Sequence, residues 1–488
     1  MKKKISLVLA AVMAVGCLSL AGCGKKDEAT SGEITKLSWL LPGDQQPDMA
    51  SVTEKINEIT REKIGAEVEF TYIDTGAYTE RMKMNMASGM DFDLCFTGYV
   101  NPYIDAVNKE GLMDLTDLID EHAPALKEAL PEYAWEIATV DGRVYGVPNL
   151  QIMAPQESLI IFKDIADKYD FDFSTVKEME DLAPYLEMVK NGEAGNGIFP
   201  YNANRSGVNF WIHNKYEDIS SGVVIRTDGS TNQVELLIDT PEYQKGVATL
   251  HDWFKKGYIR SDALAAGDDT QDFIAGRFAT GTAGWKPGAE SQQKEKYQRD
   301  VIMVKMQDPY LKKSNCLAAM TGISYSSKNG EKAIKLIELV NTDKELYNLI
   351  CFGIEGKHYE LNEEGKVRKI ADSGYNPNAD WKFGNQFNAY VSEGMPDDIW
   401  EQTQKANDEA IALPTTGFVF NTDPVKTELA SIASVYAEYS DFITLTDKEY
   451  KDFLKNREKA LKDAGFDKVF KEIEKQVRQF WKDNNMKF

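Results

Sequence analysis

Cys23 is the residue with the most explicit chemistry in the chain. It follows Leu20-Ala21-Gly22, a spacing that looks like a lipobox: small residues let a peptidase approach the backbone, and the thiol receives the lipid. Ahead of it, Lys2, Lys3 and Lys4 precede an apolar run from Ile5 to Leu20, the pattern of a secretory leader. The run is short for a retained membrane span, which needs about 20 apolar residues. Cys17 lacks a suitable leucine before it. Residues 1–22 are therefore expected to be removed as a signal peptide, with Cys23 carrying the lipid. Residues 23–33 are polar, charged and free of aromatics, as a tether would be.

The other chemistry-bearing residue types are scattered. Of the 4 histidines, His122, His213, His251 and His358, none lies three to five residues from another histidine or a cysteine, so no zinc site and no other metal site is expected. Gly-x-Ser-x-Gly, a phosphate-binding loop, His-Glu-x-x-His and Cys-x-x-Cys are all absent. No catalytic residue and no cofactor is expected, and the chain is not read as an enzyme. With 78 acids, some carboxylate pair will reach glycosidase spacing by chance, so a surface glycan hydrolase stays open as the lesser reading. Asp268-Asp269-Thr270 has the composition of a calcium loop, yet capping the helix at Gln271–Gly276 explains it without metal.

Without the three leader lysines, the 56 basic residues become 53 against 78 acidic, a balance of −25. That argues against a nucleic-acid partner, which needs a basic surface. Cys95, Cys316 and Cys351 form an odd, widely spaced set, so buried thiols are expected rather than a disulfide framework, with a single bridge left open.

These residues must be positioned by strands and helices, and the pattern from Ile34 onward alternates between the two. Ile34–Leu41 reads as a strand, Pro47–Ile64 as a helix, Ala66–Ile73 as a strand, Tyr78–Ser88 as a Met-rich helix and Phe92–Thr97 as a strand. Met82, Met84, Met86 and Met90 are expected in the core. Alternation of this kind argues for an α/β fold with mainly parallel sheets flanked by helices. Asp141-Gly142-Arg143-Val144-Tyr145-Gly146-Val147-Pro148 reads as a tight turn leading into a strand and a domain crossing. Beyond it come a strand at Leu159–Phe162, a helix opened by Thr175 with Glu178 as its capping box, and a hairpin pairing Val223–Arg226 with Val234–Ile238. Thr240-Pro241 starts a helix that Gly257 stops. From about Ser326 the chain reads as a helical C-terminal region, with a hairpin near Tyr359.

Four runs carry a family resemblance when taken in order: the lipobox with its tether, Asp91-Phe92-Asp93-Leu94-Cys95-Phe96-Thr97, the segment Asp141 to Pro148, and Phe273-Ile274-Ala275-Gly276-Arg277-Phe278-Ala279. Together they resemble the extracellular solute-binding family 1 of ABC importers. Gly353-Ile354-Glu355-Gly356-Lys357-His358-Tyr359-Glu360, Gly417-Phe418-Val419-Phe420-Asn421, Pro424-Val425-Lys426-Thr427-Glu428 and the ending Leu461–Trp481 resemble its LipO-type branch of Gram-positive bacteria. The resemblance implies a two-lobed periplasmic-binding-protein-like (type II) fold. It assigns residues 34–148 and 262–325 to lobe one and residues 149–261 and 326–488 to lobe two. It also implies a monomeric, lipid-anchored binding protein on the outer face of the membrane that hands a small-molecule solute, a carbohydrate, to ABC permease subunits. A peptide or another polar solute is the alternative cargo.

Ligands bind beyond the carboxyl ends of parallel strands, which puts Thr97, Gly98 and Tyr99, the run Trp39–Gly43, and Trp285 with Lys286 at the cleft. Sugars stack their apolar faces on aromatic rings and take planar polar side chains at their hydroxyl edges. On the family's implication, the stackers are Trp39, Tyr99, Trp211, Trp285 and Trp381, and the polar partners are Asp44, Gln45, Asn149, Gln151, Arg205, Lys286 and Asn385. Trp135, Trp253 and Trp400 sit in helical patterns and are expected in the core.

Overall fold

A computed structural model describes residues 33–203, 211, 215–231, 233–263, 269–440 and 442–486. Cys23 and the tether up to Gly32, Arg205, His213 and Asp268 lie outside the described residues.

The first sheet has the order Ala66–Ile73, Thr35–Pro42, Leu94–Gly98, Ala319–Ile323, Gly146–Pro148. Its first three strands are parallel, and the last two join antiparallel. Helix Met49–Ile64 covers the sheet with the stripe Met49, Val52 and Ile56. It stops at Gly65, whose φ of 63° lets its N–H turn back to the carbonyl of Arg61. Helix Thr75–Ser88 starts where the Asp74 side chain accepts the Ala77 N–H at 3.1 Å. Of the four methionines only Met82 is fully buried. Met84 and Met90 are 64% and 46% exposed, so the expected methionine core is corrected for those two.

The second sheet has the order Val301–Lys305, Gln156–Phe162, Phe278–Trp285, Phe199–Tyr201, with only the last pair parallel. Both sheets are thus mixed rather than mainly parallel. A three-stranded antiparallel sheet of Tyr216–Ser220, Val223–Arg226 and Val234–Leu236 stands beside it. Helix Pro241–Lys255 opens on the Thr240 hydroxyl, which accepts the Tyr243 N–H at 3.3 Å. The capping box expected of Thr175 and Glu178 forms one element later, with Glu178 as the N-cap and Asp181 as its reciprocal partner.

Each large sheet has its own core, giving two lobes. The expected division between them needs correction. Phe278–Trp285 and Val301–Lys305 pair with Gln156–Phe162, so most of 262–325 builds the second lobe. Helices Gly330–Thr342 and Lys344–Phe352 bury Ile334, Ile337, Leu346 and Ile350 in the first core, together with Trp39 and Val52. From Phe418 onward the chain packs on Val223 and Ile225 through helix Phe466–Asp483. An apolar stripe announces that a helix has a buried face, and the same stripe fits either sheet. The chain therefore passes between sheets at residues 149–155, at 306–318 and after Asn407. The last two passages are zipped by the parallel pair Tyr310↔Ile411 and Leu311↔Ala412. Cys95, Cys316 and Cys351 are buried and free. Burial pushes the Cys95 and Cys316 thiols up to about 12.

Candidate functional site

Strand Leu94–Gly98 is buried over its whole length and ends where the chain turns out at Tyr99. Thr97 is not a rim group: its side chain is buried and its hydroxyl donates to the Asn101 carbonyl at 2.6 Å. Gly98 has φ 147°, and a Cβ there would overlap the Ala318 carbonyl and lie 2.6 Å from its carbon. The glycine thus serves a close approach of chain to chain, sealed by the Tyr99 N–H donating to Ala318 O at 3.0 Å. Tyr99 itself is 53% exposed. Its ring centroid lies 5.7 Å from Phe96 and 5.8 Å from Trp381, with Phe96 to Trp381 at 6.3 Å. Two of the stackers expected from the sequence, Tyr99 and Trp381, therefore meet at one strand end, although 282 positions separate them.

Beside Tyr99 opens a cavity of ≈ 500 Å³ bounded by both lobes. Pro102, Tyr103 and Ile104 come from lobe one, Glu217 to Ser220 from lobe two, Lys313 to Ala318 from a crossing, and Phe418 to Phe420 from the C-terminal region. Its charges are strained by poor hydration. The Glu217 carboxyl is pushed above the usual carboxylate range by burial, against the Thr415 hydroxyl that donates to it. Asp218 reaches solvent through the cavity, yet protein surrounds it. That desolvation pushes it up to about 6, with only the Gly222 N–H at 3.2 Å opposing. Burial pulls the Lys313 ammonium down to about 8 while it donates to the Phe418 carbonyl at 2.6 Å. Of the ligand candidates named from the sequence, only Tyr99 lines this cavity, next to Gly98; Phe418 to Phe420 belong to a run that carries the family resemblance. No spacing marks Glu217, Asp218 or Lys313, because distant segments supply them.

The second lobe contributes Trp285, the last residue of its strand. The registers Trp285↔Gln156 and Lys305↔Ser158 put these four side chains on one face of the sheet. The Lys305 ammonium lies 3.3 Å from the centre of the Trp285 ring, a cation–π contact. Lys286 is half-buried next to a pocket of ≈ 50 Å³ that it shares with Ile152, Asp380, Gln386 and Trp400. Burial lowers the pKa of Lys286, with Asp380 across the pocket opposing. Asp380 is held by the Gln386 amide at 2.9 Å and the Trp381 N–H at 3.1 Å. Lys382 is buried and donates to the Pro42 carbonyl at 2.6 Å, and the charge of exposed Asp44 opposes the burial that lowers its pKa. Asp44 and Gln45 both stand exposed past the end of strand Thr35–Pro42.

Four other candidates hold structural duties. Trp39 is in the lobe-one core, stacked 5.7 Å from Phe70 and edge-on to Phe383, since it lies mid-strand rather than at the strand end. Trp211 is in the lobe-two core, with its indole N–H 3.3 Å from the Tyr201 hydroxyl and its ring edge-on to Trp253. Asn149 is buried and ties the first crossing to the Lys382 carbonyl at 2.5 Å. Asn385 caps the short turn at Gln386–Asn388 by accepting the Phe387 N–H at 3.0 Å. Gln151 is part-buried, and its carbonyl accepts from the Asn407 amide at 2.7 Å. Among the described residues no group of three or more His, Cys, Asp or Glu is arranged to hold a metal ion.

A family model described as bacterial extracellular solute-binding protein matches residues 43–346. A second model, of a domain of unknown function (DUF3502), matches residues 414–482. The chain is 29% identical over 498 residues to a carbohydrate ABC transporter substrate-binding protein of Streptococcus pneumoniae serotype 4, covering 99% of each. Its fold matches the crystal structure of the N-glycan transport solute binding protein NgtS of Streptococcus pneumoniae with a TM-score of 0.81 and 26% identity, over 92% of this chain and 100% of that one. Against NgtS in complex with Man5GlcNAc the TM-score is 0.71, at the same identity, over 93% and 100%.

Proposed function

Because the chain belongs to the bacterial extracellular solute-binding protein family, we propose that it captures an oligosaccharide between its two lobes and delivers it to an ABC permease. The observation that carries this is the pairing of Tyr99 with Trp381 at a lobe-one strand end, with Trp285 at a strand end of lobe two. Flat rings from both lobes are what a pyranose needs to be held on two faces, and Asp44, Gln45 and Lys286 supply polar groups at the edges. The relatives point to the same cargo class, namely N-glycan fragments built from mannose and N-acetylglucosamine.

In this reading the lobes rotate about the three crossings, and closure is favoured only by the extra contacts the glycan makes in the closed form. Cys23 carries the lipid that keeps the protein at the outer face of the membrane. The cargo is released unchanged, so the chain acts as a binder and not as a hydrolase. Titration calorimetry of residues 24–488 with Man5GlcNAc should give one site per chain and a change in tryptophan fluorescence, with intact glycan recovered afterwards. Silence across a broad glycan panel, with a hit among peptides, would sink the carbohydrate reading and leave the fold untouched. Glycan recovered as cleaved products would sink the binder reading.

A further inference from the structure

The C-terminal region matched by the domain of unknown function has a specific place in the molecule. Residues Pro414 to Asn421 form a loop pinned at both ends by the last helix, Phe466–Asp483. At one end the Trp481 indole N–H donates to the Pro414 carbonyl at 2.7 Å. At the other, Gln476 accepts the Asn421 N–H at 2.8 Å and returns its own amide to the Asn421 carbonyl at 2.9 Å. Gly417, at φ 85°, lets the loop turn between these pins. Two further bonds tie the loop to other parts of the chain: the Thr415 hydroxyl to Glu217 in lobe two, and Lys313 in the crossing to the Phe418 carbonyl. What this bracket presents to the cavity beside Tyr99 is Phe418, Val419 and Phe420.

The cavity continues the row of rings formed by Trp381 and Tyr99, because Tyr99 belongs to both. At ≈ 500 Å³ it falls in the range of pockets that enclose a small ligand. Its chemistry suits sugar units: apolar side chains from Ile104 and Phe420 stand beside the Glu217 and Asp218 carboxyls, which accept from hydroxyl groups. We infer that this cavity is a terminal subsite that sets how long a glycan the protein accepts, and that the C-terminal region exists to hold its wall. The inference rests on the carbohydrate reading above. It predicts that short cargo is satisfied at the rings, whereas longer or branched cargo must enter the cavity.

The test fills the cavity from two sides, with Val419→Trp on the C-terminal wall and Ile104→Trp on the lobe-one wall. Man1GlcNAc and Man5GlcNAc are titrated into each variant and into the unsubstituted protein, with thermal midpoints as the folding control. Each variant should keep its Man1GlcNAc affinity within about twofold and lose about tenfold or more for Man5GlcNAc. The same loss for both glycans, or no loss for either, would overturn the inference while the unsubstituted protein still binds. An unsubstituted protein that binds neither glycan takes down the carbohydrate reading, and this inference with it. Agreement between variants on opposite walls separates cavity filling from damage to one loop.

Discussion

Gly98→Ala is the sharpest probe of how the strand end is built. A methyl group there would overlap the Ala318 carbonyl oxygen and sit 2.6 Å from the carbonyl carbon. A carbon and a carbonyl oxygen rest about 3.3–3.6 Å apart, so the strand end and the crossing must separate by about an ångström. Forcing a methyl into a packed site costs about 1–3 kcal/mol. Parting the chains also breaks the Tyr99 N–H to Ala318 bond at 3.0 Å, worth about 0.5–1.5 kcal/mol. Holding an alanine at φ 147° adds strain on the order of 1–3 kcal/mol. Gly89→Ala is the control: it also has positive φ, 65°, but a Cβ there meets nothing within 4 Å, so only strain applies. The close approach alone should therefore make Gly98→Ala about 2–4 kcal/mol worse than Gly89→Ala. Urea unfolding of residues 24–488, followed by tryptophan fluorescence and circular dichroism, measures the difference. Equal midpoints for the two variants would refute the reasoning. The reporter for function is Tyr99, the next residue, so glycan affinity should fall in Gly98→Ala and hold in Gly89→Ala.

Three further expectations are independent of that one. Lys305→Met removes the ammonium 3.3 Å from the Trp285 ring, a contact worth about 0.5–1 kcal/mol, so stability measured by urea unfolding should fall by about that amount, with Lys305→Arg restoring it. Asp218 is held near 6 in the fold against 3.8 in a free chain, so the folded state resists its ionisation. Its penalty is absent below about pH 4, builds between about pH 4 and 6, and is constant above that. Asp218→Asn should therefore raise the thermal midpoint at pH 8 and leave it unchanged near pH 4; a larger gain at pH 4 contradicts the assignment. Cys95, Cys316 and Cys351 should fail to react with a thiol-specific chromogen until the protein is unfolded, because burial both shields them and suppresses the thiolate.

Local structure was legible wherever a local signal existed. Strand Ala66–Ile73 matches its alternating pattern, and Thr240-Pro241 opens its helix as the proline at the first helical position requires. Tyr99 and Trp285 were legible as strand-end rings, since each stands where a strand gives way to a loop. Trp39 and Trp211 carry the same side chain and are core, since ring type says nothing about depth within a strand or lobe. The assignment of helices Gly330–Thr342 and Lys344–Phe352 to a lobe was not legible, because amphipathicity fixes a face and leaves the partner open. The cavity was invisible for a related reason. Its walls come from four segments, and residues such as Glu217 and Lys313 are unremarkable in their own neighbourhoods.

The first sheet is finished by a strand from far down the chain. Leu94–Gly98 pairs on one side with Thr35–Pro42, and its other edge waits for Ala319–Ile323, more than two hundred residues later. As the chain is made amino end first, that edge emerges with its backbone donors and acceptors unpaired while the whole second sheet is still to follow. An open apolar edge of this kind invites pairing with another chain, and contacts so distant in sequence form slowly. The architecture therefore places a demand on folding: newly made copies must stay apart until the returning strand arrives. Yield of folded protein, more than stability once folded, is where substitutions in Ala319–Ile323 should register first.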